Sequence, residues 1–373
     1  MSMSRIRKEE IRVGQPLPWP VYDSNGLLLL SKGFIIASEH QLDSLVQRGL
    51  YSIKLAPPPK PQAQEEKKPV SPFKVFDQFQ LRLKRLCEDL KTHSQPDVPE
   101  RILRFCADLQ QLCRYDADAV LGAVHLIHDG QYTIIHSLHA ALLTELFLRA
   151  LGISAEDRLP ILAAALTHDI GMMDTHELLH KQQSPLTDAQ WEEVRRHPKH
   201  SVAILEKAGV IDGIWLETVL HHHERLDGTG YPFGLKDDDI FFPARVLAIV
   251  DIYGAMIKRR AYRECLQAKD ALREIFLKLA GEVDEQLAKI FVKELGIFPP
   301  GVFVRLKNSE VAVVTHRSGV ATSPIAQAII GPRGAPLAKP VKRDTRNIEF
   351  AIHELVPREN TVSINLCTLW GYV

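Results

Sequence analysis

Twelve of the sixteen histidines in this 373-residue chain fall between His125 and His223. The residues around them are apolar at helical spacing, so these imidazoles must sit on or at the ends of packed helices. Surface chance does not account for that density, and a chemical role is required. The helical texture runs from about Val75 to Leu295. Ser154-Ala-Glu-Asp157 and Thr187-Asp-Ala-Gln190 have the spacing of helix-starting capping boxes, and Gly209 suits a helix stop. Further helices are expected over 136–148, 159–167, 244–257 and 268–279.

The flanks differ. Residues 1–55 read as a small β-rich module. In it Asn25-Gly26 stands between apolar runs as a hairpin turn, and a helix follows from about Ser38 to Gly49. Residues 56–73, with APPPKPQAQEEKKPVSP, are too rich in proline and charge to bury a core and read as a linker. Beyond 295 the runs become short and β-branched, Val302–Val304 and Val311–Val314, which points to a β-rich appendage over 296–373. The expected fold class is therefore mainly α, a helical bundle core over 74–295 with a small N-terminal β-rich module and a C-terminal β appendage.

Composition narrows the function. Lys+Arg and Asp+Glu both number 46, so nothing draws the chain in general toward a nucleic acid polymer or an acidic membrane. A phosphate ligand would need a local basic cluster, and Arg259-Arg260 with Arg263 offers one. The five cysteines, Cys87, Cys106, Cys113, Cys265 and Cys367, show no C-x-x-C spacing. They argue for a reducing cytoplasmic setting and against a thiolate zinc site. The start, MSMSRIRKEE, leads into no signal core, and no run approaches the ~18 apolar residues of a membrane span.

Five pieces carry chemistry: His136, the pair His168-Asp169, His197 before Pro198, the run His222-His223-Glu224 leading into Asp227-Gly-Thr-Gly-Tyr231-Pro232, and Asp251. Histidine with aspartate and no thiolate suits iron, manganese or zinc in a catalytic site. Two such ions ~3.5–4 Å apart can activate water and clamp both oxygens of an in-line displacement at phosphorus.

These residues resemble a known family. His168-Asp169 with His136 and Asp251 is similar to the HD superfamily of metal phosphohydrolases. The series HSLHAAL, LTHDIG, RRHP, HHHERLDGTGYP and ARVLAIVDIYGAMIKRRAYRE, spread in order over about 130–295, resembles the narrower HD-GYP family, whose members hydrolyse cyclic di-GMP. GIFPPGVFVRL resembles that family's usual ending, and VYDSNGLLLLSKG an accessory module that often precedes it. The resemblance implies a binuclear centre of iron or manganese held by His136, His168, Asp169, His197, His222, His223 and Asp251, with Asp169 bridging. It implies catalytic roles for Asp169, His168 and Tyr231, and substrate contacts from Tyr231, Arg260 and Arg263. The expected activity is hydrolysis of cyclic di-GMP to linear pGpG, GMP or both. Protein signalling partners would engage residues 1–55.

Two positions depart from the family pattern, and a third differs from some members. HDIGK reads HDIGM here, with Met172 in place of lysine. Gly254 stands where a second aspartate follows Asp251. Tyr132 stands where some members carry a glutamate for a third metal, so two metals are expected. The losses at 172 and 254 favour an alternative, a cyclic di-GMP receptor or interaction module with weak or no turnover. His125, His128, His139, His176, His180, His200 and His221 are read as structural or supporting.

Overall fold

The computed structural model describes residues 3–6, 10–17, 20–22, 28–47, 51–53, 71–182, 184–258, 266–277, 281–358 and 363–372. They fall into two compact units, 1–68 and 69–373.

The first unit contains β1 (Met3–Arg5), β2 (Val21–Tyr22), β3 (Leu28–Leu30), α1 (Glu39–Gln47) and β4 (Tyr51–Ile53). The sheet order is β1-β4-β2-β3, and each pair is antiparallel. Ile6, Ile11, Leu17, Val21, Ile36 and Leu42 form its core. The Asn25-Gly26 turn lies outside the described residues, but the strands it would join, β2 and β3, do pair. Most of the expected linker also lies outside them. At its end Pro72 and Phe73 already belong to a helix, because proline suits a first turn and Phe73 is buried.

The second unit is helical through α2 (Pro72–Thr92), α3 (Val98–Tyr115), α4 (Ala117–Leu126), α5 (Tyr132–Ala150), α6 (Ala155–Thr167), α7 (Met173–Lys181), α8 (Asp188–Lys207), α9 (Gly213–His221), α10 (Phe242–Met256), α11 (Ala268–Leu277) and α12 (Glu285–Leu295). A single 3-10 turn, Ile170–Met172, joins α6 to α7. Every residue of α5 from Tyr132 to Leu148 is buried, as expected for a helix apolar all round. It is the axis of the bundle, packed by α2, α3, α4, α6, α10 and α12. The one acid buried deep in it, Glu145, is held by both arms of Arg158 at 2.9 and 3.0 Å. The capping box at Thr187 and Gln190 forms in full, while Ser154 accepts only from the Asp157 amide. α8 runs through Pro198, so His197 lies within a helix rather than at its C-terminal end.

The C-terminal region is a five-stranded antiparallel sheet of β5 (Phe303–Leu306), β6 (Val311–His316), β7 (Ile325–Ile330), β8 (Pro336–Asp344) and β9 (Ile352–Val356), ordered β8-β7-β6-β5-β9. The alternation of a strand sends Phe303 and Val313 into the bundle core and Val304, Ala312 and Val314 into a second cluster on the opposite face. The short α13 (Leu366–Trp370) returns to the bundle, with Trp370 edge-on to Phe73 at 5.0 Å. Its indole fills the space above Gly122, where an added Cβ would collide with it. Among the described residues, no helix is long and apolar enough to cross a membrane.

Candidate metal centre

Three imidazoles are oriented by their own helices. His168 ends α6, His197 lies in α8 and His222 follows α9. Each places Nδ1 against the carbonyl three residues back, Ala165 at 2.9 Å, Val194 at 2.6 Å and Val219 at 2.6 Å. A carbonyl only accepts, so each Nδ1 carries the proton. A neutral ring then leaves Nε2 as a bare lone pair. Burial, foremost, pushes His197 below its ordinary pKa and His222 well below it. His136 is pushed down to about 4 and His223 to about 3, again mainly by burial. His136, His197, His222 and His223 are therefore neutral near pH 7.

Those lone pairs converge. His197 Nε2 and His222 Nε2 are 3.2 Å apart, and His168 Nε2 is buried with no hydrogen-bond partner among the described residues. Asp169 lies between two groups of rings. Its Oδ1 is 3.4 Å from His197 Nε2, while its Oδ2 is 3.6 Å from His168 Nε2 and 3.9 Å from His136 Nε2. Asp251 pairs with His136 Nε2 at 2.7 Å and reaches toward His223 Nδ1 at 3.9 Å. Burial opposes the charge on both carboxylates, but the surrounding imidazoles prevail and hold both pKa values low. Two buried anions among rings with facing lone pairs form a donor set suited to cations. Three overlapping groups have donors close enough to share an ion: His136/His168/Asp251, His168/Asp169/His222 and His197/His222/His223.

Local sequence explains how distant parts meet here. Gly171 lets α8 approach the turn after Asp169, because an added Cβ would fall 2.5 Å from Ser201 N and 2.8 Å from His197 O. Ser201 Oγ fastens the contact, donating to the His168 carbonyl at 2.7 Å and accepting from Gly171 N at 2.9 Å. Trp215 Nε1 donates to Thr167 Oγ1 and draws α9 against α6. The Asp227–Pro232 loop is held by buried Glu224, which accepts from Phe233 N at 2.7 Å and Leu235 N at 2.9 Å. Gly230 passes so close to the backbone of 223–225 that no side chain fits. Tyr231 is thereby laid against His223, ring centroids 4.7 Å apart. Its hydroxyl pKa is raised by burial, so it stays a donor.

All seven expected metal residues and Tyr231 come together; Arg260 and Arg263 lie outside the described residues. His176, read from sequence as structural, sits with Nδ1 3.3 Å from Asp169 Oδ2. Its place on α7, eight residues past His168, gives no motif to find it by. Buried Lys258, which sequence reading missed, lies 4.9 Å over the Tyr132 ring, and that ring stacks on His136 at 5.7 Å. Its charge contributes to the lowered pKa of His136. His221 packs on Phe233, and His125 bonds Leu121 O and the Tyr253 hydroxyl, as supporting roles require. A cavity of about 640 Å³ opens onto the cluster, with Met172, Leu179, Pro185, Leu186 and Trp191 forming an apolar wall.

Residues 125–287 match the HD domain family. The segment that carries this cluster and its Gly-Tyr-Pro loop lies wholly within that match. Over 202 residues the chain is 35% identical to the cyclic di-GMP phosphodiesterase PA4108 of Pseudomonas aeruginosa, an alignment covering 54% of this chain and 49% of that one. It is 30% identical over 207 residues to the 3'3'-cGAMP-specific phosphodiesterase 3 of Vibrio cholerae, covering 54% and 45%. The chain thus spans about half the length of the curated relatives it matches. In fold it is similar to Bd1817, an HDG"Y"P protein from Bdellovibrio bacteriovorus, with a TM-score of 0.53 and 15% identity over 78% of this chain and 99% of that one. HD-domain phosphohydrolases use divalent metals, and a cluster of histidines and aspartates that could hold an ion is present here.

Proposed function

We propose that this protein is a metal-dependent phosphodiesterase that hydrolyses cyclic di-GMP to linear pGpG, GMP or both. The observation that carries the reading is the two-sided placement of Asp169, one oxygen toward His197 and the other toward His136 and His168. His136, His168 and Asp251 would hold one ion, His197, His222 and His223 the other, and Asp169 would bridge them. Iron or manganese suits this nitrogen and carboxylate set. Bound metals supply Lewis acidity at the phosphoryl oxygens and a more acidic attacking water. The chain's own residues do the rest. Tyr231 donates its phenol proton to a phosphate oxygen, the apolar wall excludes water, and Trp191, 45% exposed at the cavity, presents a ring face to a base. Arg260 and Arg263 are proposed as further substrate contacts. A third metal beside His136 is disfavoured, since Tyr132 brings no carboxylate and Lys258 adds a positive charge. Residues 1–55 are proposed as an accessory module, 74–295 as the catalytic domain and 296–373 as its β-rich extension, in a cytoplasmic protein.

The test is to incubate metal-loaded protein with cyclic di-GMP and with 3'3'-cGAMP and to follow linear products by chromatography. Turnover with a higher kcat/KM on cyclic di-GMP is expected. A faster rate on 3'3'-cGAMP would overturn the choice of substrate. Tight binding of cyclic di-GMP without product would support the receptor reading, which Met172 in the cavity wall favours.

Met172 and Gly254 are expected to interact energetically. Met172 offers the cavity a thioether and no charge. At Gly254 an added Cβ would lie 3.6 Å from His136 Nδ1, a buried nitrogen without a hydrogen-bond partner. With a metal on Nε2 the proton would move to Nδ1, and Gly254→Asp would give it an acceptor and fix the ring with Nε2 inward. Met172→Lys alone should bring little gain or a loss, because it adds an ammonium near the metals without compensation. The double variant should exceed the sum of the single changes in kcat/KM, with metal content checked in each. Strict additivity would refute the coupling.

A further inference from the structure

A second hollow, of about 420 Å³, adjoins the cavity over the His/Asp cluster at Tyr231. Tyr231 lines both spaces. The new hollow is walled by the outer face of α8, where Glu192, Arg195, Arg196, Lys199 and His200 face it. Its charges do not cancel. Glu192 is taken by Arg196 at 2.9 Å, one turn along the helix. Glu193, on the neighbouring face, approaches His200 at 3.7 Å. Arg195 is exposed and makes no ion pair among the described residues, and Lys199 rests over the Phe233 ring at 4.6 Å, leaving its charge uncompensated. Two cations one helical turn apart therefore border a hollow next to a phenol that also borders the candidate metal centre. The positive charges of Arg225 and Arg195 both act on the Tyr231 hydroxyl, and Arg225 is already held by Glu282 at 2.7 Å. Arg195 is thus the nearby guanidinium still open to a ligand.

A cyclic dinucleotide carries two phosphodiesters on one small ring. If one reaches Asp169 and its neighbouring histidines, the other must emerge beside the same opening, and in a chain of zero net charge it needs a local cation. We propose that Arg195 and Lys199 form a subsite for the second phosphate of the substrate, the one that is not cleaved, with Tyr231 dividing the two phosphates. This deepens the phosphodiesterase reading and rests on it. Arg195 presents a planar fork suited to two phosphate oxygens, and Lys199 a point charge one turn away. Neither residue touches the reacting phosphorus, so their contribution is to affinity and alignment.

The test is calorimetry with cyclic di-GMP on the full-length chain, metal-free and metal-loaded, alongside steady-state kinetics. Arg195→Ala should weaken binding about ten- to a hundred-fold, the range expected for a lost charge-assisted contact. The change should appear in KM more than in kcat, with metal content unchanged. Arg195→Lys should restore part of the affinity, and Arg195→Ala with Lys199→Ala should also flatten the dependence of binding on salt. Lys207→Ala is the control, because that exposed cation in the last turn of the same helix lines neither space, and it should bind as the wild type does. Wild-type binding with both Arg195→Ala and the double variant within twofold of it would overturn the subsite while leaving the phosphodiesterase reading intact. A metal-loaded wild type that neither binds nor hydrolyses cyclic di-GMP would overturn that reading, and the subsite with it.

Discussion

Replacing Asp169 with alanine is expected to strip the protein of bound metal and to lower turnover by more than the ~10²–10³-fold typical of losing one electrostatic donor. Asp169 is 4% exposed, and its two oxygens face different imidazoles, so no neighbour can take over either contact. Without it the lone pairs of His197 and His222, 3.2 Å apart, and that of His168 would surround cations with one anion fewer to balance them. Asp169→Asn keeps the shape and removes the charge. If charge is what matters, it should behave almost as badly as alanine. The measurement is metal per chain by mass spectrometry after anaerobic, metal-supplemented purification, read beside a thermal melt of the metal-free protein. An alanine variant that retains two ions per chain would sink the bridging role. A wild type without bound metal would sink the centre itself.

Gly171→Ala is expected to cost the fold about 1–3 kcal/mol, the usual range for overpacking, and to cost metal affinity more. The new Cβ meets backbone, Ser201 N and His197 O, not the tip of a flexible side chain, so α8 itself has to move. Moving it breaks the Ser201 contacts with Gly171 and His168 and draws His197 away from Asp169. A melting temperature lower by several degrees and a weakened metal site are the expected pair. Gly213→Ala is the comparison. Nothing lies within 4 Å of its added Cβ, and its helix begins there, so it should be neutral or slightly stabilising. If Gly171→Ala melts as the wild type and binds metal normally, α8 is not held by this contact.

The helices of the bundle were legible because each is written locally. Thr187 with Gln190 announces the start of α8, and the unbroken apolar run of α5 announces a central helix. The β-rich ends were legible as texture. What the pattern of 296–373 did not carry is that alternate residues of β5 and β6 reach the bundle core, or that Trp370 returns to Phe73 and Gly122. Such contacts join residues hundreds of positions apart, and neither partner bears a mark of the other. His197 lies inside α8, which continues through Pro198.

The seven expected ligands and Tyr231 could be named from sequence because the ordered motifs that hold them resemble a known family: a His-Asp pair at a helix end, a His-His pair opening a glycine-rich loop, an aspartate inside an apolar helix. Sequence by itself therefore determined the residue types, their order and the class of ligand they suit. The tertiary structure alone decided which imidazole nitrogen faces inward, since backbone carbonyls at 165, 194 and 219 assign the proton. It alone turned the two oxygens of Asp169 to opposite groups of rings, brought His176 to 3.3 Å from that carboxylate, and set Lys258 over Tyr132. Among the described residues it also left Arg195 without an ion-pair partner beside Tyr231. The physical reason is the same in each case: these are relations between helices that cross, and a helix's sequence sets which face is buried but not which residue of another helix will stand opposite it.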